Sequence, residues 1–184
     1  MPTTTARTIY NPVQRDWATF IETSEESGGT RTLIEVEVAP GGGNEPHRHL
    51  TYAERFEVRE GMLMVRVGDE SHGLAPGESA TAEAGVLHCF RNTTEAPVRF
   101  LVELRPGHRG FERALQAGYG LAEDGRVTAA SIPRNPLHVA VLMEWSEMRV
   151  TGPIRLAVPL LKLLARVARG RGIDRELEAK YVRF

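Results

Sequence analysis

Two histidines and a carboxylate stand close together in the first third of the chain, in a pattern that suits a metal ion. His47 and His49 are two residues apart, and Glu54 follows five residues after His49. Side chains at i and i+2 of an extended strand point to the same face, so the two imidazoles would lie side by side. If the chain turns just after Thr51, the carboxylate reaches them, and His88 can supply a third imidazole from further along the chain.

A set of three imidazoles and one carboxylate predicts one divalent ion, either Fe, Mn, Ni, Zn or Co. Ions that prefer thiolate ligands have no partner in this set. By residue type, it contains the two-histidine, one-carboxylate face of non-haem iron oxygenases with one extra histidine. The competing interpretation is that His47 and His49 are ordinary polar residues at a strand edge. The complete spacing, with His88 included, favours the metal site.

The spacing of two segments, residues 41–61 and 77–92, resembles the two motifs of the cupin superfamily. The first segment matches the motif at all of its specified positions: Gly41, His47, His49, Glu54 and Gly61. The second matches at Gly77, Gly85, His88 and Asn92. It departs at Glu83, where the family usually has proline. The resemblance implies a mainly β fold, a cupin β-barrel of the jelly-roll or double-stranded β-helix type, with the four metal-binding side chains inside it.

The elements around these motifs predict a β-barrel domain over residues 1–105 and an α-helical extension over residues 106–184. Short runs with a period of two, separated by turns, extend from Trp17 to Leu104 and are typical of an antiparallel barrel or jelly roll. After Pro106-Gly107 the apolar residues follow the helical period, which predicts three helices. We expect these helices to pack on the barrel or on a dimer partner. The third helix has an apolar side formed by Leu160, Leu161, Leu164, Ala165 and Ala168.

Composition argues against several classes of partner. The 23 Lys and Arg residues nearly balance the 24 Asp and Glu residues, so no global charge favours nucleic acid. No helix-turn-helix segment precedes the barrel, and we expect no nucleic-acid partner. The one cysteine, Cys89, cannot form an internal disulfide, which suits a reducing cytosol. The first residues show no apolar run of signal-peptide length, so a cytoplasmic location is expected.

Further residues are candidates for contact with a substrate. Phe56 and Phe90 are expected to form an apolar wall of the pocket. Arg66 stands in an otherwise apolar strand and is a candidate for holding an anionic substrate, although barrel strands also point charges to solvent. Glu83 is a candidate general base if it points into the barrel mouth. The alternative for Glu83 is a solvated carboxylate at a turn. Strand alternation places Cys89 on the face opposite His88, as a packed thiol.

The resemblance implies a metal-dependent enzyme acting on a small organic molecule, of the dioxygenase, isomerase or cyclase class. The first alternative is a non-catalytic cupin that binds a metal and a small molecule. The second is a membrane-surface or partner-binding protein that uses the basic segment 155–171. The same segment could instead form a cap whose leucines cover the barrel or a second subunit while its arginines face water. The cap is favoured, so no membrane association is expected. Small cupins are often dimers, and we expect a homodimer.

Overall fold

The computed structural model describes residues 7–150 and 158–184. Within these residues the chain forms eleven strands and four helices. Ten strands precede the helices, and the eleventh lies between the second and third helices. The strands are β1 (Thr8–Asn11), β2 (Asp16–Glu22), β3 (Thr32–Val38), β4 (His47–Arg48), β5 (Ala53–Glu60), β6 (Leu63–Val67), β7 (Glu70–Leu74), β8 (Ser79–Ala82), β9 (His88–Arg91), β10 (Val98–Arg105) and β11 (Arg149–Val150). The helices are α1 (Arg109–Glu123), α2 (Pro136–Trp145), α3 (Val158–Gly170) and α4 (Ile173–Tyr181).

The strands form two antiparallel sheets that enclose one apolar core. The first sheet has the order β1-β2-β3-β10-β5-β8, and the second has the order β11-β4-β9-β6-β7. Burial alternates along β10, because every second side chain points between the sheets. Phe100 on β10 lies opposite Val36 and Val58 on its two neighbours, and all three are buried. The predicted fold class, a mainly β jelly roll followed by helices, is confirmed.

A glycine sets how closely the chain can approach the strand that carries His88. Gly43 has a φ of 148°, and it forms an isolated bridge with Arg91 at the end of β9. A Cβ atom added to Gly43 would lie 2.4 Å from the carbonyl oxygen of Phe90, which no side chain can tolerate. The backbone therefore passes directly over β9 on its way to β4. This approach places His47 opposite His88 in the antiparallel register.

The helices fall where the helical period predicts them, with one addition. Asn135 caps α2 by accepting a hydrogen bond from the Leu137 amide, and Pro136 fills the first helical position. The part of the predicted third helix that precedes residue 158 lies outside the described residues. The last helix, α4, was not predicted, because its short sequence follows α3 after only a two-residue turn.

Helix α1 joins the β-sandwich to the other helices. Its Tyr119 belongs to the barrel core, and its Leu121 belongs to a second apolar core shared with α2, α3 and α4. Two buried polar contacts also tie α1 to the barrel. Glu112 accepts hydrogen bonds from the Ser24 amide and the Thr32 hydroxyl, each at 2.6 Å. The extension is therefore packed on the barrel through both apolar and polar contacts.

The fully buried side chains of helix α3 are two alanines, not leucines. Ala165 and Ala168 are buried, whereas Leu160 is 55% exposed and Leu163 is 54% exposed. Leu160 therefore does not cover the barrel, because the small side chains let the helices approach closely and leave the leucine outside; that the leucines cover a second subunit stays a prediction. No helix among residues 7–150 and 158–184 is long and apolar enough to cross a membrane.

Candidate metal centre

The four predicted ligand residues meet between the two sheets. His47 lies on β4 and His88 on the adjacent β9, while Glu54 comes from β5 in the opposite sheet. His49 follows β4 directly. One donor atom from each of the four side chains lies within 4.8 Å of all the others, and all four residues are buried. The sequence prediction that two distant segments converge on one point therefore matches the geometry.

Each imidazole turns its Nδ1 atom toward a backbone carbonyl. The distances are 2.8 Å from His47 to Glu45, 3.0 Å from His88 to Val86, and 3.1 Å from His49 to Ser146. A carbonyl oxygen can only accept, so each Nδ1 carries a proton and Nε2 is the nitrogen left for a metal ion. The Nε2 atoms of His49 and His88 are buried and have no hydrogen-bond partner. Buried ring nitrogens without a partner are what a metal ion requires.

Glu54 supplies the negative charge of the centre. Its Oε2 lies 3.0 Å from His88 Nε2 and its Oε1 lies 3.4 Å from His49 Nε2, although neither contact has the direction of a hydrogen bond. Burial acts to raise the pKa of Glu54, but the two imidazoles outweigh it and hold that pKa well below its usual value. The buried carboxylate is therefore ionised and attracts a cation.

The pKa values of the histidines follow from the same balance of burial and charge. Burial, reinforced by the two neighbouring imidazoles, lowers the pKa of His47 to about 3, so this ring is neutral. Burial also acts to lower the pKa of His88, but the adjacent Glu54 carboxylate more than offsets it, and the pKa lies above its usual value. The Glu54 carboxylate thus favours positive charge at this position, which a divalent ion would supply.

A tyrosine of the barrel and a backbone carbonyl of the helical extension hold His49 in place, and the sequence analysis did not identify either contact. The hydroxyl of Tyr52 lies 2.6 Å from His49 Nδ1 and donates a hydrogen bond to the Ser146 carbonyl at 2.8 Å. The Tyr52 ring also stacks on the His49 ring, with centroids 4.5 Å apart. Burial raises the pKa of Tyr52, so its hydroxyl stays protonated and remains a donor. Ser146 lies 97 residues from His49, and no spacing pattern could have linked the two.

Aromatic side chains surround the centre. Phe56 lies 5.9 Å from the His88 ring, and Phe90 lies 6.2 Å from Phe56. Both are buried in the barrel core, and their role as an apolar wall of a substrate pocket stays a prediction. From the helical side, Phe111 on α1 lies edge-on to His49 at 5.8 Å. His108 caps α1, where its Nδ1 accepts a hydrogen bond from the Phe111 amide, and its ring packs against the Tyr52 ring.

The structure does not bring Arg66 or Glu83 into this cluster. Arg66 lies on the outer face of β6, where its Nε donates to the Gly68 carbonyl at 2.9 Å and its side chain is 42% exposed. Glu83 is exposed in the turn after β8, where its carbonyl accepts a hydrogen bond from the Val86 amide. Strand alternation explains the first placement, since Leu63 and Val65 take the inward positions on β6. Both placements correspond to the solvent-facing alternatives.

Asn92, the last specified position of the second motif, has a structural role. It is fully buried, and its side-chain amide donates hydrogen bonds to the carbonyls of Val38 and Ala96. Its side-chain oxygen accepts from the Thr94 amide, which fixes the turn before β10. Cys89 is partly buried on the face opposite His88, as the alternation predicts.

A family match covers the part of the chain that carries the four side chains. The sequence profile of the Cupin_2 family, described as a cupin domain, matches residues 34–103. No curated protein sequence matches the chain. Among solved structures, the TT1209 protein of Thermus thermophilus is 29% identical, with 58% of this chain and 98% of that chain covered and a TM-score of 0.48.

Two further solved structures are similar to part of the chain. A sugar phosphate isomerase of the cupin superfamily from Silicibacter pomeroyi is 27% identical, with 50% of this chain and 60% of that chain covered and a TM-score of 0.45. KdgF from Halomonas sp. is 17% identical, with 52% of this chain and 82% of that chain covered and a TM-score of 0.47.

Proposed function

We propose that this chain, whose residues 34–103 match the cupin domain family, is a metal-dependent enzyme acting on a small organic molecule. One observation carries the proposal. Three imidazole nitrogens and one ionised carboxylate converge within 4.8 Å in a buried site. The residues fit a divalent ion by donor type, by charge and by the orientation of the imidazoles.

The four side chains would hold the ion, and each has a distinct role. His47, His49 and His88 would bind through Nε2, because their Nδ1 atoms are engaged by carbonyls. Glu54 would offset part of the ion's charge. A divalent ion bound at such a site supplies Lewis acidity toward a carbonyl or enolate oxygen, or the ability to activate dioxygen.

The surrounding residues would control water and orientation. Phe56, Phe90 and Phe111 place apolar rings on the barrel side and the helical side of the centre. Such walls lower the local polarity, which strengthens the attraction between the centre and an oxygen atom of the substrate. Because the polar groups near the ligands are directed toward the histidines, the walls favour a compact, partly apolar substrate.

The resemblance to cupins implies a dioxygenase, isomerase or cyclase reaction. In each of these, a metal held by imidazole and carboxylate ligands could bind an oxygen atom of the substrate. The non-catalytic alternative uses the same ligands to fix a small molecule without turnover. A homodimer remains our prediction for the assembled state.

The test is to load the purified protein separately with Fe(II), Mn(II), Ni(II), Zn(II) and Co(II). Oxygen uptake is measured with candidate phenols and diketones, and isomerisation or ring closure is followed by NMR. The variant His88→Ala removes one ligand, and His72→Ala, on the exposed strand β7, is the matched control. Turnover that His88→Ala loses and His72→Ala keeps supports an enzyme. Tight metal and ligand binding without turnover supports the non-catalytic alternative, and absence of metal binding refutes both.

A further inference from the structure

We propose that residues 146–150, which follow α2, form part of the metal centre by positioning His49, so that metal binding and docking of the helical extension stabilise each other. We name these residues the 146–150 segment. The inference rests on the proposed function in one respect, because it requires that the four ligand residues bind a metal. It adds a role for the extension, which lies outside the family match at residues 34–103.

The first contact is the convergence of two donors on one carbonyl. Ser146 is buried at the C-terminal cap of α2, and its carbonyl oxygen lies 3.1 Å from His49 Nδ1 and 2.8 Å from the Tyr52 hydroxyl. A carbonyl oxygen has two lone pairs, so it can accept from both donors. The Ser146 carbonyl thereby fixes the proton on Nδ1 and leaves Nε2 free toward the other ligands.

The second contact is a short strand. Strand β11 pairs with β4 in the antiparallel register, with Arg149 opposite Arg48 and Val150 opposite His47. On its other side β4 pairs with β9, where His47 lies opposite His88. The 146–150 segment therefore completes the sheet at the edge where two of the ligands stand. Without it, the two-residue strand β4 would be an edge strand with little to fix its position.

The third contact closes the loop that follows His49. The Thr51 hydroxyl donates a hydrogen bond to Glu147 Oε2 at 2.6 Å. Glu147 has a φ of 53°, a left-handed conformation that costs energy for a residue with a side chain. The surrounding contacts must offset this cost, so the segment is held in one conformation rather than simply lying on the surface.

These contacts make the coupling reciprocal. If the docked segment increases the affinity for a metal ion, the bound ion must stabilise the docked segment by the same factor. Loss of the Ser146 carbonyl would remove one acceptor from the Nδ1 proton and free the Tyr52 hydroxyl to donate a hydrogen bond to Nδ1 instead. The tautomer with the proton on Nε2 would then compete, and it would have to lose that proton before binding an ion.

The first experiment is Tyr52→Phe, which removes one hydroxyl and keeps the stacked ring. Tyr10→Phe is the control, because Tyr10 lies on β1 in the other sheet, and its hydroxyl has no hydrogen bond among the described residues. Zn(II) affinity is measured by competition with a chelating dye, and the visible spectrum of the Co(II)-loaded protein reports the ligand geometry. We expect a loss of about 10–100-fold in affinity and a changed spectrum for Tyr52→Phe alone.

The second experiment measures amide hydrogen exchange in the wild type with and without Zn(II). We expect the ion to slow exchange in the 146–150 segment and at the end of α2, although these residues contribute no side chain to the ligand set. The variant Thr51→Val removes an exposed hydroxyl and should weaken this protection without unfolding the barrel. Circular dichroism of each variant confirms that it is folded.

The outcomes separate this inference from the proposed function. If the wild type binds no metal, the proposed function fails and this inference fails with it. If the wild type binds a metal, but Tyr52→Phe has the same affinity and Co(II) spectrum and the segment gains no protection, only the coupling is overturned. Weaker affinity with a changed spectrum and metal-dependent protection supports it.

Discussion

Replacing Asp16 by Asn should remove a large part of the pH dependence of folding. Asp16 begins β2, is fully buried, and accepts a hydrogen bond from the Tyr119 hydroxyl of α1 at 2.7 Å. Its other carboxylate oxygen has no hydrogen-bond partner. Burial raises the pKa of Asp16 to about 7, although the Tyr119 hydrogen bond acts in the opposite direction. This carboxyl group therefore lies at the junction between the barrel and the helices and titrates near neutral pH.

The sign and size of the effect follow from the two pKa values. The unfolded chain has the ordinary aspartate pKa of 3.8, and the folded chain has a pKa of about 7. The folded state binds the proton more tightly, so the contribution to stability is complete below pH 3.8 and is lost as the pH rises through about 7. The full difference is about 4 kcal/mol, of which about 2.5 kcal/mol falls between about pH 5 and pH 8.

The assay is thermal or urea unfolding of the wild type and Asp16→Asn at about pH 5 and about pH 8. Between them, the stability of the wild type should fall by about 2.5 kcal/mol relative to the variant, or about 5–10 °C in Tm. Using the difference between the two proteins cancels the titration of the histidines, which both contain. Tyr119→Phe provides a second check, since loss of its hydrogen bond should raise the pKa of Asp16 further. A difference that does not change with pH would refute the reasoning.

Two further substitutions test the packing of the two parts of the chain. Gly43→Ala should destabilise the protein by about 2 kcal/mol or more, because the new Cβ would collide with the Phe90 carbonyl. Urea unfolding measures this loss. An unchanged unfolding midpoint would contradict the close approach of the backbone to β9. Leu163→Gln should change the free energy of unfolding by less than about 0.5 kcal/mol, whereas Ala168→Leu should cost about 1–3 kcal/mol through overpacking. A larger loss of stability in Leu163→Gln than in Ala168→Leu would mean that Leu163, and not Ala168, lies on the buried side of α3.

The sequence predicts the metal centre well because local rules place its ligands. The two-residue spacing of His47 and His49, and the turn before Glu54, act over a few residues. That the motif around His88 lies beside the first motif is what the resemblance to cupins implies, and the structure places it on the strand paired with β4. Gly43 contributes by allowing the chain to cross β9 closely. Fold class and ligand set are therefore readable from periodicity, spacing and family resemblance together.

The contacts made by the extension are not readable in this way. The Ser146 carbonyl reaches His49 because α2 ends at one particular point above the barrel, and a backbone atom leaves no trace in residue type. Tyr52 occupies an unspecified position of the first motif, so its spacing carries no signal. On α3, the helical period identifies the apolar side but does not predict that Ala165 and Ala168, rather than Leu160, would contact the neighbouring helices.

The most direct test of the account is elemental analysis of the protein after reconstitution, combined with X-ray absorption of the bound ion. Purification must avoid a chelating tag. The account predicts one divalent ion per chain, with imidazole nitrogens and carboxylate oxygen in its coordination sphere, and a large loss of binding in Glu54→Gln. A wild-type protein that retains no ion, or an ion that Glu54→Gln binds equally well, would contradict it.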